Sequence, residues 1–101
     1  MESVQEKLIG IYFKQCYSGF GVVTDEELDY IKNNDFVCVV TDETKNNGYD
    51  IESNWIKENL EIGKEYNLVD MNVGRSSSTL RLVEFPNKEF NTVCFEIKLK
   101  E

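Results

Sequence analysis

Histidine is absent from this 101-residue chain, and cysteine, proline and tryptophan are scarce. Without histidine the chain lacks the commonest general base, the commonest metal ligand and every Ser-His or Cys-His nucleophile pair. The cysteines, Cys16, Cys38 and Cys94, are odd in number, far apart and without a Cys-x-x-Cys spacing. They predict neither a disulfide framework nor a zinc or redox centre, and they favour a reducing cytosol. We therefore expect no metal, no cofactor and a cytoplasmic protein.

Basic residues are also few: eleven Lys and Arg face nineteen Asp and Glu, so the formal net charge is −8. Clustered Lys and Arg hold a phosphate backbone, so this balance argues against direct binding of nucleic acid. The same repulsion disfavours an anionic membrane surface. Long apolar runs are missing as well, since residues 36–40 fall far short of the ~20 residues of a membrane span. No basic segment followed by an apolar one opens the chain as a signal peptide does.

The chain does contain enough apolar material for a core. Hydrophobic residues make up 41% of it and twelve residues are aromatic, which is too apolar for a disordered chain. A chain of this length is typical of one domain, so we predict a single domain over residues 1–101.

The first third of the chain predicts a strand, a helix and a second strand. Residues 8–13 are apolar and β-prone, which predicts an N-terminal strand. The segment from Thr24 to Glu27 has the form of a capping box, so a short helix is expected to begin there and to end near Asn34. Residues 36–40 form a continuous apolar run and predict a central strand.

A long polar connection, residues 41–59, follows this strand and carries an Asn-Asn-Gly turn signal. Inside it, Ser53 is expected to cap one helical turn that bears Trp55 and Ile56. A connection of this length is uncommon in a small domain unless it has a purpose. Trp55 has two interpretations, because it either closes one end of the core together with Ile51 and Ile56 or serves as an exposed anchor.

The last forty residues alternate between apolar and polar side chains. Residues 64–73, 79–85 and 91–99 predict three strands, joined by turns at residues 74–78 and 86–87. In the last strand Phe95 and Ile97 are expected to face the core and Cys94 the other side. The predicted fold is mainly β (α+β): an SH3-like small β-barrel over residues 36–99, preceded in residues 1–35 by a strand and a short helix.

The C-terminal residues carry a resemblance. Four segments resemble a pattern in small acidic SH3-like proteins of phages and prophages of low-GC Gram-positive bacteria. These segments are Leu60-Glu-Ile-Gly-Lys-Glu-Tyr66, Val73-Gly74, Ser78-Thr79-Leu80 and Phe90-Asn-Thr-Val-Cys-Phe-Glu96. The resemblance covers roughly residues 36–97 and implies a phage origin, a fold and a bacterial host cytoplasm. It supplies no catalytic residues. Small acidic phage proteins include inhibitors of host defence nucleases, such as anti-CRISPR proteins, which suggests a function by analogy.

The negative charge is concentrated in one stretch. Residues 24–61 hold eleven acids and three lysines, which accounts for the whole net charge. A charge-rich face is usually only a solvated one. Carboxylates on a rigid scaffold can alternatively imitate phosphates and bind the basic channel of a nucleic-acid-handling protein, with aromatics as anchors. The residues expected to bind such a host protein are Asp25, Glu26, Glu27, Asp29, Asp42, Glu43, Tyr49, Asp50, Glu52 and Trp55.

Three other function classes remain open. A protein that sequesters a signal nucleotide needs phosphate contacts, for which Lys64, Arg75, Ser76 and Arg81 are the candidates. An enzyme would have to rely on pairs of carboxylates, which need a buried pocket to separate their pKa values. An SH3-like structural or interaction module is the third. We predict a non-enzymatic inhibitor, with its oligomeric state undetermined.

Overall fold

The computed structural model describes residues 3–17, 19, 21–74 and 77–100. Within them the chain forms three α-helices, five β-strands and a short 3₁₀ helix, an α+β fold. In chain order the elements are α1 (Val4–Cys16), α2 (Asp25–Asn33), β1 (Phe36–Val39), α3 (Asp50–Asn59), β2 (Glu65–Val73), β3 (Ser78–Leu82), β4 (Phe85–Asn91), the 3₁₀ helix (Thr92–Cys94) and β5 (Glu96–Leu99).

The strands form one sheet in the order β4-β3-β2-β1-β5, and each adjacent pair is antiparallel. All four residues of β1 are buried, which confirms the strand expected at residues 36–40. The sheet is open, so the prediction of a closed SH3-like barrel is wrong. Closure requires the two edge strands to pair, whereas β4 and β5 lie at opposite ends of the strand order and share no hydrogen-bonded register.

The N-terminal strand expected at residues 8–13 is wrong, because this segment lies inside helix α1. Leu8, Ile11 and Tyr12 are buried, a helical spacing that the β-prone composition concealed. Ser3 caps the helix, with its Oγ accepting a hydrogen bond from the Glu6 amide at 3.1 Å. The helix packs against β2 and β5, the two strands that flank β1.

Helix α2 confirms the predicted capping box. Thr24 Oγ1 accepts a hydrogen bond from the Glu27 amide at 3.2 Å, and Glu27 Oε1 accepts one from the Thr24 amide at 3.1 Å. The helix ends at Asn33, as expected. The ammonium of Lys7 lies 4.0 Å from the centroid of the Tyr30 ring, which ties α2 to α1.

Helix α3 has ten residues rather than the single turn predicted from Ser53. The helix begins earlier, after Tyr49, and Ser53 lies inside it as a buried residue. Ile56 and Leu60 follow Ser53 on the buried side of this segment.

Two corrections apply to the C-terminal strands. The β3–β4 turn lies at residues 83–84, where the amide of Val83 donates to the Asn67 carbonyl, and not at residues 86–87. Pro86 instead lies in the outer strand β4, where no neighbouring strand needs its amide.

The single strand expected at residues 91–99 is interrupted. Asn91 Oδ1 accepts a hydrogen bond from the Val93 amide at 3.2 Å, and the chain makes a 3₁₀ turn before β5 begins. This turn breaks the alternation of faces, so Cys94 is buried rather than outward-facing and Val93 is 46% exposed.

The core is aromatic where β4 meets the 3₁₀ helix. Phe90 and Phe95 are almost fully buried, with ring centroids 5.5 Å apart. At the opposite edge of the sheet, the Gln5 side chain of α1 accepts a hydrogen bond from the Ile97 amide of β5 at 3.2 Å.

Candidate functional site

The long connection after β1 is an ordered loop. Its first turn is closed by reciprocal hydrogen bonds, in which the Thr41 amide donates to Thr44 Oγ1 at 2.9 Å and the Thr44 amide donates to Thr41 Oγ1 at 3.1 Å. Asp42 and Glu43 lie between these two threonines, and both are exposed. The loop therefore holds their backbone in place while leaving their carboxylates in water.

The far end of the loop docks on the 3₁₀ helix. Asn47 Nδ2 donates to the Val93 carbonyl at 3.1 Å. Gly48 lies directly over Cys94, since a Cβ at this glycine would stand 2.7 Å from Cys94 Sγ. Glu52 Oε1 then accepts a hydrogen bond from the Asn91 amide at 2.5 Å. These three contacts fix the loop and the start of α3 to the end of β4.

The thiol of Cys94 beneath this contact is buried. Burial raises the pKa of Cys94, with the negative charge of Glu52 as a second cause. Ser53 is 4% exposed, and its Oγ has no hydrogen-bond partner in the described part of the chain. Cys94 and Ser53 are thus buried side chains that lie next to Gly48 of the loop.

Two large side chains at the start of α3 face solvent. Tyr49 is 81% exposed and Ile51 is 87% exposed, with the exposed Asp50 between them. With Asp42 and Glu43, which precede them on the same segment, these residues make up what we call the loop–helix corner. It combines exposed carboxylates with exposed apolar side chains on a fixed backbone.

Trp55, the other aromatic expected to act as an anchor, is half-buried. Its ring meets Phe85 edge-on with centroids 5.6 Å apart and lies at the same distance from Phe90. The ammonium of Lys88 lies 4.5 Å from the Trp55 ring centroid. Trp55 thus attaches α3 to β4.

Two of the eight carboxylates predicted to bind a partner accept hydrogen bonds from other residues of this chain. Glu27 accepts from Lys14 Nζ at 2.5 Å as well as from Thr24, and these contacts lower the pKa of its carboxyl group. Glu52 is the acceptor at Asn91 described above. The other six, Asp25, Glu26, Asp29, Asp42, Glu43 and Asp50, are exposed, although Asp42 also pairs with Lys45 at 3.1 Å.

The acidic residues of the stretch lie on two separate parts of the fold. Helix α2, with Asp25, Glu26 and Asp29, is attached to α1 through the Lys14–Glu27 ion pair and to β1 through the Tyr30 and Phe36 rings, whose centroids lie 5.5 Å apart. The loop–helix corner is attached to β4 and the 3₁₀ helix instead. The continuous acidic segment in the sequence is therefore two charged surfaces in the fold.

The residues expected to contact the phosphate of a signal nucleotide lie outside the acidic stretch of residues 24–61. Arg81 forms a two-pronged ion pair with Asp70, in which Nε lies 2.8 Å from Oδ1 and Nη2 contacts Oδ2. Lys64 lies 5.4 Å from the centroid of the Tyr66 ring. Arg75 and Ser76 lie outside the described residues. Arg81 and Lys64 both have partners among the described residues, so they do not form a pair of unpaired cations for a phosphate group.

Sequence reasoning missed Ile51 and Val93 as exposed residues. The sequence predicts that Ile51 packs with Trp55, but it lies almost opposite to Ser53 and Ile56 around the helix axis. Extending the predicted helix back to Asp50 would have revealed this. The exposure of Val93 follows from the turn created by Asn91, which the alternating pattern of the strand conceals.

Neither a metal-binding cluster nor a membrane-spanning helix is found among the described residues. No three His, Cys, Asp or Glu side chains there come together in a group that could hold a metal ion. No helix there has the length and apolar composition needed to cross a membrane.

Comparison with known proteins places this architecture in a phage family. The family model described as bacteriophage T4 protein Y07B matches residues 37–101, well over half of the chain. The chain belongs to the bacteriophage T4 protein Y07B family. This confirms the phage origin that the C-terminal residues indicated. No curated protein and no solved structure matches the chain.

The segment matched to the Y07B family spans nearly the whole sheet and the loop–helix corner, but not α1 or α2. Of the two charged surfaces, the one on α2 therefore lies outside the matched segment. The loop–helix corner and its attachment to the 3₁₀ helix lie entirely within it.

Proposed function

We propose that this Y07B-family protein is a non-enzymatic inhibitor that binds a nucleic-acid-processing defence protein of its bacterial host. It acts in the cytoplasm, in a low-GC Gram-positive host, by covering the basic surface on which the target holds nucleic acid. The observation that carries the proposal is the loop–helix corner, where Tyr49 and Ile51 are exposed on either side of the exposed Asp50, on a segment that also bears Asp42 and Glu43. Large exposed apolar side chains with a polar surround are typical of protein interaction sites.

The charge of the corner supports a basic partner. Asp42, Glu43 and Asp50 present carboxylates in a chain of net charge −8, so the long-range field attracts a Lys- and Arg-rich surface. Such a surface is already shaped for phosphate oxygens, and arginine binds carboxylate and phosphate with the same fork geometry. Steering of this kind raises the association rate and selects against acidic partners.

The attachment of the corner supports tight binding. Asn47, Gly48 and Glu52 hold the loop against the 3₁₀ helix before any partner arrives. A preformed surface loses less conformational entropy on association than a flexible one. We assign the anchor role to Tyr49 and Ile51, because Trp55 is occupied by its contacts with Phe85 and Phe90. The acids of α2 act as a second, longer-range source of attraction.

The proposal is tested in two steps. The tagged protein is used to isolate its partner from host lysate, and the identified partner is then purified and titrated. We expect the dissociation constant to rise steeply with salt, and an oligonucleotide duplex to compete with the protein for the partner. The double variant Asp42→Lys/Glu43→Lys should weaken binding roughly tenfold, since each reversed surface contact is worth up to ~1 kcal/mol. Tyr49→Ala should weaken it by about tenfold or more.

The matched control is Glu89→Lys/Glu96→Lys, which changes the net charge equally at two exposed positions outside residues 24–61. It should retain most of the affinity. If both double variants bind alike, only the net charge matters and the corner is not the interface. A partner that binds with no salt dependence and is not displaced by the duplex would refute mimicry of nucleic acid.

A further inference from the structure

A second feature of the described fold lies away from the loop–helix corner. It is a half-open cavity of about 400 Å³, bounded by the end of α2, the start of β1, the middle of β2 and the β3–β4 turn. Small-molecule sites in proteins have volumes of roughly 300–1,000 Å³. The cavity is therefore large enough for a metabolite.

The cations at this cavity differ from the other cations of the described residues. Ten Lys and Arg side chains lie in the described residues, and eight of them contact an acid, an amide or an aromatic ring. These eight are Lys7, Lys14, Lys45, Lys57, Lys64, Arg81, Lys88 and Lys98. Lys32 and Lys100 have no such contact among the described residues, and both line the cavity. A chain with nineteen acids thus leaves two ammonium groups unpaired at one place.

The other polar groups of the cavity supply a donor and acceptors. Tyr12 is 8% exposed, and its hydroxyl has no hydrogen-bond partner in the described part of the chain. The phenol oxygen is the polar end of this otherwise buried side chain and can donate a hydrogen bond to a ligand. Burial raises the pKa of Tyr12, so the hydroxyl stays protonated at neutral pH. Asn67 donates through its amide and its Nδ2 to Glu84, which leaves its Oδ1 as an acceptor.

Apolar side chains border the same cavity. Val69 is 48% exposed and Val83 is 57% exposed, and both belong to its lining. Asp35 is the one acid among the lining residues, where it is accompanied by two lysines, and the Glu84 carboxylate lies next to the lining through its bond with Asn67. A suitable ligand carries an anionic group, hydrogen-bond donors and a flat or apolar body.

We propose that this cavity binds a phosphorylated metabolite of the nucleoside monophosphate class. Its phosphate contacts the ammonium groups of Lys32 and Lys100. Its base stacks on Val69 and Val83 and donates to the amide oxygen of Asn67. This site is independent of the loop–helix corner and of the partner proposed for it.

The test is a titration of the isotope-labelled protein, followed through its backbone amide resonances. The probes are adenosine monophosphate, ribose 5-phosphate and inorganic phosphate at up to millimolar concentration. We expect adenosine monophosphate to bind most tightly and to shift the amides of residues 32, 67, 69, 83 and 100. Lys32→Gln and Lys100→Gln should each weaken binding about tenfold, the value of a hydrogen bond to a charged group. Lys57→Gln, on α3, is the matched control and should bind normally.

A second variant guards against indirect effects. Val83→Glu places a carboxylate at an exposed edge of the cavity, keeps both lysines and should abolish binding of the nucleotide. Equal affinity for ribose 5-phosphate and adenosine monophosphate would overturn the assignment of a base-binding surface. Equal affinity for inorganic phosphate would reduce the site to a simple anion contact and overturn the proposed class. The absence of shifts with all three probes, or shifts confined to residues outside the cavity, would refute the site itself.

Discussion

Gly48 shows how a single missing methyl group permits the docking of the loop. The loop approaches Cys94 so closely that a Cβ at Gly48 would stand 2.7 Å from the sulfur. We expect Gly48→Ala to destabilise the fold by ~1–3 kcal/mol, because the buried sulfur has little room to move. The measurement is urea unfolding followed by Trp55 fluorescence.

Gly10 is the matched control for this prediction. It lies in α1, and a Cβ added there would meet nothing within 4 Å, so Gly10→Ala should stabilise the protein by ~0.5–1 kcal/mol. In a Cys94→Ala background the cost of Gly48→Ala should fall, since the clash partner is gone. An unchanged cost there would contradict the steric explanation.

The carboxyl group of Glu27 makes the stability of the fold depend on pH. Hydrogen bonds from Lys14 and Thr24 lower the pKa of its carboxyl below the ordinary value of 4.5. A carboxyl group with a lowered pKa in the folded state stabilises the fold above the pKa of the unfolded state and loses this contribution as pH falls through the folded value. Glu27→Gln should therefore be less stable than the natural protein at pH 7, and the difference should shrink below about pH 4.5.

Urea unfolding at a series of pH values measures this difference. The control is the same substitution in a Lys14→Gln background, where the ionic partner is absent and the pH trend should be much weaker. A difference that is constant from neutral to acidic pH would mean that packing, rather than charge, gives Glu27 its effect.

At the scale of elements, the sequence predicts local caps better than it predicts faces. The Thr24 capping box is complete within four residues, and it located α2 correctly. Residues 8–13 failed because their β-prone composition outweighed the helical spacing of Leu8, Ile11 and Tyr12. The signal for the helix was Ser3, followed by Glu6 three residues later, before the apolar run.

In the candidate site, too, the sequence predicts local features better than contacts between distant residues. The length of the long connection indicates a purpose, and most of its acids lie where solvent reaches them. Its contacts with the 3₁₀ helix join residues more than forty positions apart, such as Asn47 and Val93. No local pattern encodes a contact of this range, so the engagement of Glu52 and the exposure of Ile51 emerged only from the fold.

The docking of the loop on the 3₁₀ helix predicts an order of thiol reactivity. Cys16 is exposed, whereas burial raises the pKa of Cys94 and raises that of Cys38 to about 12. We expect Cys16 alone to react with a thiol reagent in the native protein at mildly alkaline pH. Asn47→Ala releases the loop and should accelerate labelling of Cys94 without accelerating labelling of Cys38.

Mass spectrometry of the labelled peptides separates the three sites. Asn46→Ala is the matched control, because its side chain contacts Lys57 and not the 3₁₀ helix. If Asn47→Ala accelerates Cys38 and Cys94 equally, the variant has lowered the stability of the whole fold rather than opened the loop.

At the scale of the whole molecule, the uneven charge predicts an effect of salt on stability. Residues 24–61 carry the entire excess of eight negative charges, so their mutual repulsion opposes folding when it is unscreened. Adding salt should raise the melting temperature by several degrees, the equivalent of about 1 kcal/mol for a chain of this size. The variant Asp42→Lys/Glu43→Lys should flatten this response more than Glu89→Lys/Glu96→Lys does. Equal responses would show that the repulsion is global rather than local.

The two outer strands of the sheet are both occupied by helix side chains. The Lys100 amide donates to the Asp35 carbonyl, so the alternation of an antiparallel pair turns the Ile97 amide away from β1, where Gln5 of α1 accepts it. At the other edge, Glu52 of α3 accepts the Asn91 amide of β4, and Pro86 in that strand has no amide to offer.

Chain-to-chain growth of a β-sheet begins at an edge with free donors. Here one backbone amide at each edge, that of Ile97 or of Asn91, donates to a helix side chain. A second molecule therefore cannot add a full strand without displacing a helix contact. We therefore expect these two contacts to hinder the addition of a strand from a second molecule at either edge.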